Sequence, residues 1–405
     1  MFDNLLYQSA SSQLKDDIVS LRLPGAVLFC GSESSGKLTA ALETARVLSC
    51  SGNPRGKWTC ECPSCLRHKA LVHPNLMLLG PRDCSLEIQA AQKAFVSSVS
   101  MNDSHVNATR YLFLRAVRKL ENRFNPALWQ DSDKLNKIAA VTSELDERME
   151  EIDAGRELPE LKQVEEAAQK IVALCQKLES DFMYDSIPIL QIRNLSTWAR
   201  IGAAAGTKVV IIERAERMLE GVRNALLKIL EEPPNDTLFI LTTARKSAVM
   251  PTILSRLRPY NFLPRSSEEE REIIERVFHD GTIFEPADGG SVIQNYLNGF
   301  LPVRPEAVQK RAADFFEQIF DGKIPDVPDL IKNCGKFEPR VLLKIFFAAL
   351  EAKSRELFSS AQGTQKALAV SQIVRDSWLN VSTYNQGVQS ALEELLCALA
   401  RERKR

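Results

Sequence analysis

No stretch of the 405-residue sequence approaches the roughly 18 consecutive apolar residues of a membrane-spanning helix. The first thirty residues place Lys15, Asp16 and Asp17 ahead of a short apolar run, Ala26 to Cys30, which is not the pattern of a signal peptide. A surplus of charge is also missing: Lys plus Arg and Asp plus Glu number 52 each. A neutral total argues against a protein whose main task is to coat nucleic acid, because phosphate affinity is built from many cationic contacts. It leaves room for a local basic patch. Internal repeats and low-complexity tracts are absent as well. What is present, 44% hydrophobic and 26% charged residues, is the composition of a globular protein with little room for long disorder. The length exceeds one ordinary core, so two or three domains are expected. The expected setting is a reducing cytoplasm without membrane contact, where the nine cysteines suggest metal rather than disulfides.

Three apolar runs read as buried strands: Ala26 to Cys30, Lys208 to Ile212, and Thr237 to Thr242. Helical segments lie between them, Lys37 to Leu48 and Leu219 to Glu232, the latter ending at Pro233-Pro234. Strands alternating with helices predict an α/β fold whose mainly parallel sheet is covered on both faces. From about Leu86 to Asp185 the chain turns helical and charged. There Leu135, Ile138, Leu145, Met149 and Ile152 keep a heptad rhythm, with Thr142 in the missing slot, and Val164, Ala168, Ile171, Cys175 and Leu178 keep another. The breaker-rich turn Ala154 to Pro159 between them predicts an antiparallel hairpin with facing seams, protruding from a module that folds without it. Two ordinary surface helices are the alternative. Beyond Arg265 only helices are expected, starting at the Ser266 cap and its following acids, with loops at Asp288-Gly289-Gly290 and Gly322 to Pro325.

Gly31-Ser-Glu-Ser-Ser-Gly36-Lys37-Leu38 matches the phosphate-loop pattern except at its last position. It follows a strand and precedes a helix, so backbone N–H groups can curl around phosphates while Lys37 reaches the outer ones. The final Ser or Thr, which would place a hydroxyl on magnesium, is replaced by Leu38. Thr39, one residue on, is rotated roughly 100° around the helix and substitutes poorly. At the end of the second strand, where an acid pair should stand, Glu213 is followed by Arg214, which has no acceptor with which to activate water. Hydrolysis is not expected from this pocket.

Cys50, Cys60, Cys62 and Cys65 lie on a loop rich in Gly and Pro and fit a closed structural zinc site. The Cys60–Cys62 spacing is tight, and Cys84, His68 or His73 could replace one ligand. Cys30, Cys175 and Cys397 sit among apolar residues and read as core.

Asn224-Ala-Leu-Leu-Lys-Ile-Leu-Glu-Glu-Pro-Pro234 resembles the signature of the bacterial DNA polymerase III clamp-loader family. Leu241-Thr-Thr243 is similar to that family's sensor strand and Ser255-Arg256-Leu257 to its Ser-Arg-Cys motif. The opening Phe2 to Gln8, the phosphate loop, the four cysteines and His73-Pro74-Asn75 follow in the family's order, so the likeness spans roughly residues 1–84 and 186–262. The resemblance is strongest to delta-prime members, with gamma/tau members next.

It implies an AAA+ module over 1–262, carrying a zinc module at about 50–65 and a helical insertion at about 86–184. A helical lid over 263–302 and a helical collar over 303–405 would follow, the collar joining subunits in a ring. It further implies a degenerate nucleotide site at Gly31, Gly36, Lys37, Thr39, Glu213 and Thr243, where ATP binding stays open and hydrolysis is not expected, Zn²⁺ on the four cysteines, and Arg256 presented to a neighbouring subunit's ATP. The implied partners are gamma/tau and delta subunits, the sliding clamp and, indirectly, primed DNA. Leu38, Glu213, Arg214, Leu257 and the Cys60–Cys62 spacing depart from the active pattern. Two alternatives are an active clamp-loader ATPase and a zinc-containing nucleic-acid-binding protein; Arg214 counts against the first, and neutral charge against the second.

Overall fold

A computed structural model describes residues 1–203, 206–281, 290–356, 361–384 and 386–404. The three predicted strands form, and two more join them. Ala26–Gly31 (β1), Leu76–Leu79 (β2), Lys208–Ile212 (β3), Thr237–Thr243 (β4) and Arg258–Phe262 (β5) make a wholly parallel sheet in the order β2-β3-β4-β1-β5. Only four residues long and buried on both faces, β2 shows no alternation to read. As an edge strand, β5 buries Tyr260 and Phe262 and turns Pro259 and Asn261 outward. Proline survives there because an edge strand needs no second ladder.

Because successive side chains point to opposite faces, the sheet carries two cores. Val27, Phe29, Val209, Ile211 and Ile240 share one with Ala10–Val19 (α1) and Lys37–Ser49 (α2). The cysteine loop and Pro63–Lys69 (α3) follow α2. Leu28, Met77, Val210, Phe239 and Leu241 face the other core. It is built from Ser85–Met101 (α4), Val106–Glu121 (α5), Leu135–Glu151 (α6), Leu161–Phe182 (α7), Ile189–Arg200 (α8) and Glu220–Glu231 (α9).

The predicted hairpin is present as α6 and α7, but it does not protrude. Val141, not the Thr142 slot, is buried between Ile138 and Leu145, as the ordinary helical period of 3.6 residues requires. Ile171, Cys175 and Leu178 belong to the same apolar core as the sheet. The join is also polar. Glu179 accepts the backbone N–H groups of Asp83 (2.9 Å) and Cys84 (3.3 Å), and Arg82 donates to the Met183 carbonyl (2.8 Å). The α6–α7 pair is therefore a layer of the core, not a detachable arm.

Contacts divide the chain into Met1–Leu297 and Asn298–Arg405. The first unit also holds Pro251–Leu254 (α10), Ser267–Phe278 (α11) and the main part of Val292–Asn298 (α12). The predicted cap of α11 is a full capping box: Ser266 Oγ accepts from Glu269 N at 3.2 Å and the Glu269 carboxylate accepts from Ser266 N at 2.9 Å. The loop expected at Asp288-Gly289-Gly290 falls, except for Gly290, outside the described residues. The second unit consists of Pro305–Phe320 (α13), Val327–Asn333 (α14), Val341–Glu356 (α15), Ala361–Tyr384 (α16) and Val388–Lys404 (α17) around Phe315, Phe346, Leu350, Val370 and Leu392. Cys30 and Cys175 are buried as expected, but Cys397 is exposed. Leu392, Leu395 and Leu399 occupy the inner face of α17 instead, leaving position 397 on the outer one.

Since Ile171 is fully buried in a core continuous with the sheet, Ile171→Ala should destabilise the whole first unit by about 2–5 kcal/mol. Urea unfolding followed by a probe on the sheet should show that loss. A transition unchanged at the sheet would restore a detachable hairpin.

Candidate nucleotide pocket and metal centre

The parallel register brings the carboxyl ends of β1, β3 and β4 side by side, where ligands bind in open α/β sheets. At the end of β1, the loop from Gly31 to Gly36 turns into α2. A side chain at Gly31 would collide with the carbonyl of Phe262. Gly36 has φ +87°, a conformation that favours glycine, and a Cβ there would also lie 2.8 Å from Arg265 Nη2. Lys37 folds back on the loop, donating to the carbonyls of Gly31 (2.7 Å) and Ser32 and to Ser35 Oγ (3.2 Å). Burial pushes the Lys37 ammonium down to about 8, against the opposing pull of Glu216 and Glu33. Arg265, which the sequence did not single out, donates to Ser34 O at 2.7 Å and Leu6 O at 2.9 Å. Leu38 packs as a partly buried apolar residue, and Thr39 is partly buried beside it.

At the end of β3 the carboxylate of Glu213 is already taken. Arg123, from the turn after α5, forms an ion pair with Glu213 Oε2 and also contacts Cys84 Sγ. The two side chains are only 8% and 17% exposed. Nothing in the sequence marked Arg123, which stands 90 residues from its partner. Arg214 turns the other way, in the left-handed region at φ 54°, and pairs with Asp83 Oδ2 at 2.7 Å, with Arg217 at 3.4 Å from the same oxygen. Thr243, fully buried at the end of β4, donates to Glu216 Oε2 at 2.7 Å. Glu216 is thus a further acid of this pocket, three residues past Glu213, where a pattern limited to the acid pair overlooks it.

Gly31, Gly36, Lys37, Glu213 and Thr243 accordingly share one end of the sheet. Arg256 follows α10 and is engaged within the chain. It pairs with Glu231 Oε1 at 2.6 Å and caps α10 by donating to the Thr252 carbonyl at 2.7 Å. Its side chain is about one third exposed, at 32%.

The far end of α2 leads to the cysteines. The four sulfurs of Cys50, Cys60, Cys62 and Cys65 all lie within 4.8 Å of one another, with Cys50 and Cys60 at 3.7 Å. That spacing fits the roughly 3.8 Å between sulfurs of a tetrahedral centre with metal–sulfur bonds of about 2.3 Å. A side chain at Gly52 would collide with Cys60 Sγ, so glycine is needed for the loop to close. Burial opposes ionisation of Cys62, but hydrogen bonds from Ser51 and the Cys65 backbone bring it down to about 5. Burial and the neighbouring Cys50 and Cys62 sulfurs push the Cys65 thiol up, against Arg46. The candidate substitutes lie elsewhere: Cys84 is against Arg123, and His68 and His73 stack on each other at 3.9 Å. Arg46 is 1% exposed and ties the module to α2: it pairs with Glu43 at 2.6 Å, and donates to Gly56 O at 2.8 Å and Cys65 Sγ at 3.1 Å.

Comparison with known proteins follows the same lines. A family model described as "DNA polymerase III, delta subunit" matches residues 7–128 and 134–266, more than half of the chain. A delta-prime subunit from Pseudomonas aeruginosa is 40% identical over 80 residues, 20% of this chain and 24% of that protein. One from Bacillus subtilis is 36% identical over 80 residues, with the same two shares. A gamma/tau subunit from Mycobacterium bovis is 35% identical over 81 residues, 20% of this chain and 14% of that protein. The matched region thus spans about a quarter of the length of these delta-prime relatives. A solved gamma-subunit-related protein from Thermotoga maritima aligns with 55% of this chain and 81% of its own at 20% identity and a TM-score of 0.26, a likeness that carries no argument. The five-stranded parallel sheet with its end-on phosphate loop agrees with the AAA+ fold, and the chain belongs to the DNA polymerase III clamp-loader family, that of the delta-prime and gamma/tau subunits.

Proposed function

We propose that this chain is a non-hydrolysing, stator-type subunit of the clamp loader, assembled in a ring with gamma/tau and delta subunits and supporting ATP-dependent loading of the sliding clamp onto primed DNA. The observation that carries this reading is the commitment of Glu213 to Arg123. In an active pocket this acid would help hold magnesium and a loop hydroxyl would complete the site. Here Leu38 offers no oxygen, the carboxylate is neutralised from within the chain, and Arg214 is turned onto Asp83. The main-chain N–H groups of the loop, with Lys37, remain suited to holding phosphates. Gly31, Gly36, Lys37, Thr39, Glu213 and Thr243 are therefore read as a degenerate nucleotide site without turnover. The lid and collar roles assigned to 263–302 and 303–405 belong to the same proposal.

The isolated protein should hydrolyse ATP no faster than its Lys37→Ala variant. Steady turnover lost in that variant would overturn the stator reading and favour an active ATPase.

For the four cysteines the proposed metal is Zn²⁺, which suits an all-sulfur tetrahedral site and which, bound, would order a loop that has little core of its own. Cys50, Cys60, Cys62 and Cys65 would hold it. Protein purified without chelator should contain about one zinc per chain by elemental analysis. Its absence there would remove the proposal.

Arg256 is read as the arginine offered to a neighbouring subunit's ATP. Its pairing with Glu231 and the Thr252 carbonyl would hold it at the edge until a stronger anion arrives. Such arginines acting in trans are worth on the order of 10³–10⁵ in rate, through charge on the transferring oxygens. In the reconstituted loader, Arg256→Ala should leave assembly intact and slow clamp- and DNA-stimulated ATP turnover. Arg256→Lys should rescue it only in part, because an ammonium lacks the planar fork. Unchanged turnover in the alanine variant would leave Arg256 as a cap for α10 alone.

A further inference from the structure

Away from the sheet end, the helical layer holds a second cavity of about 240 Å³, between α5, the end of α3 and the turn after α6. Tyr111, Leu114, Arg115 and Arg118 face it from α5, at the i, i+3, i+4, i+7 spacing of one helix face. Ala70 closes one side, and Asp153 to Gly155 close the other.

Both walls are pinned in place. Arg110 donates to the carbonyls of Ile152 (2.7 Å), Asp153 and Arg156 (2.9 Å), and Asp153 Oδ1 accepts from Gly155 N at 2.9 Å. On the α3 side, Arg115 donates to the carbonyls of His68 and Lys69, and Arg118 donates to Ala70 O at 3.1 Å. These bonds use carbonyl oxygens, which neutralise no charge. Asp153 approaches Arg118 only at 3.9 Å, and among the described residues no carboxylate lies within ion-pair distance of Arg115. The acids whose fields reach Arg115 are engaged elsewhere, Glu43 with Arg46 and Glu87 with Lys119. A guanidinium keeps its charge under all ordinary conditions. Two of them therefore line a preformed cavity whose lining holds one carboxylate, the loosely held Asp153, with Glu121 near Arg118 outside the lining. An incompletely neutralised, partly desolvated charge is costly until an anion joins it.

We propose that this cavity is a binding site for a small oxyanion, a phosphomonoester or a polycarboxylate, gripped by Arg115 and Arg118 with Tyr111 beside it. The planar forks of the two arginines can each present paired N–H donors to two oxygens of the ligand. The α5 face and the turn at 153–155 both lie between β2 and β3, so the site belongs to the helical layer and is independent of the phosphate loop.

Isothermal titration of the full chain tests this, in a Lys37→Ala background that weakens the phosphate loop, with the Arg115 and Ala154 variants below separating the two sites. The probes are inorganic phosphate, AMP, adenosine and citrate. Binding of phosphate and AMP would identify the phosphomonoester source, and binding of citrate the carboxylate source. Adenosine, which has no anion, should not bind. Arg115→Gln should weaken the retained probe about tenfold or more, the loss expected when a hydrogen bond to a charged group is removed. The exposed Ala154→Trp, which fills the mouth with little risk to the fold, should weaken it as well. No binding of any anion to the Lys37→Ala protein would overturn the proposal. So would binding left unchanged by Arg115→Gln and Ala154→Trp.

Discussion

The ion pair between Arg123 and Glu213 links two matters that look separate, how the helical layer is attached and why the nucleotide pocket lacks an acid. Glu213 follows the last residue of β3, where it is 17% exposed beside Gly80. Its charge needs a partner, and the sheet supplies none. Arg123 meets it from the turn after α5, whose next residue, Phe124, belongs to the core that α4 to α9 share with the sheet. Removing one member of such a buried pair leaves an uncompensated charge, at a cost of about 3–5 kcal/mol. The same contact that fastens the layer therefore withdraws the carboxylate from metal chemistry.

α2 joins two sites in a similar way. Its first residue is Lys37, at the phosphate loop, and its last turn runs into Cys50. Between them Arg46 and Glu43 form a pair that is almost wholly buried, and the remaining Arg46 donors are spent on Gly56 O, Lys57 O and Cys65 Sγ. A guanidinium is suited to this because its fixed fork can serve a carboxylate, two carbonyls and a sulfur at once. The cysteine loop, which has little apolar content, is positioned by polar contacts to a helix whose other face is core.

Arg256 and Lys37 share a feature: each cation rests on carbonyl oxygens or a carboxylate of its own chain. Such contacts satisfy donors without spending them irreversibly, since carbonyl oxygens are weaker partners for a cation than phosphate oxygens. Arg214 likewise rests on a carboxylate, that of Asp83, with its backbone in the left-handed region.

Local pattern was enough for those parts of the molecule that local chemistry builds. The apolar runs of β1, β3 and β4, the phosphate loop, the Ser266 capping box and the four clustered cysteines are each made by residues near one another in the chain, and each was legible. β2 escaped because a strand buried on both faces has no period, and β5 because its proline is tolerated only at an edge that pairing defines. The heptad spacing announced α6 and α7 but misjudged their setting, since a helix seam gives no sign of what else lies against it. The contacts that decide the pocket were out of reach for the same reason. Glu213 meets Arg123 across 90 residues, and Arg265 meets Ser34 across 231. Sequence alone therefore determined the loop, its missing hydroxyl and the cysteine set, while tertiary packing decided which charges neutralise one another, because an ion pair depends on distance in space and not along the chain.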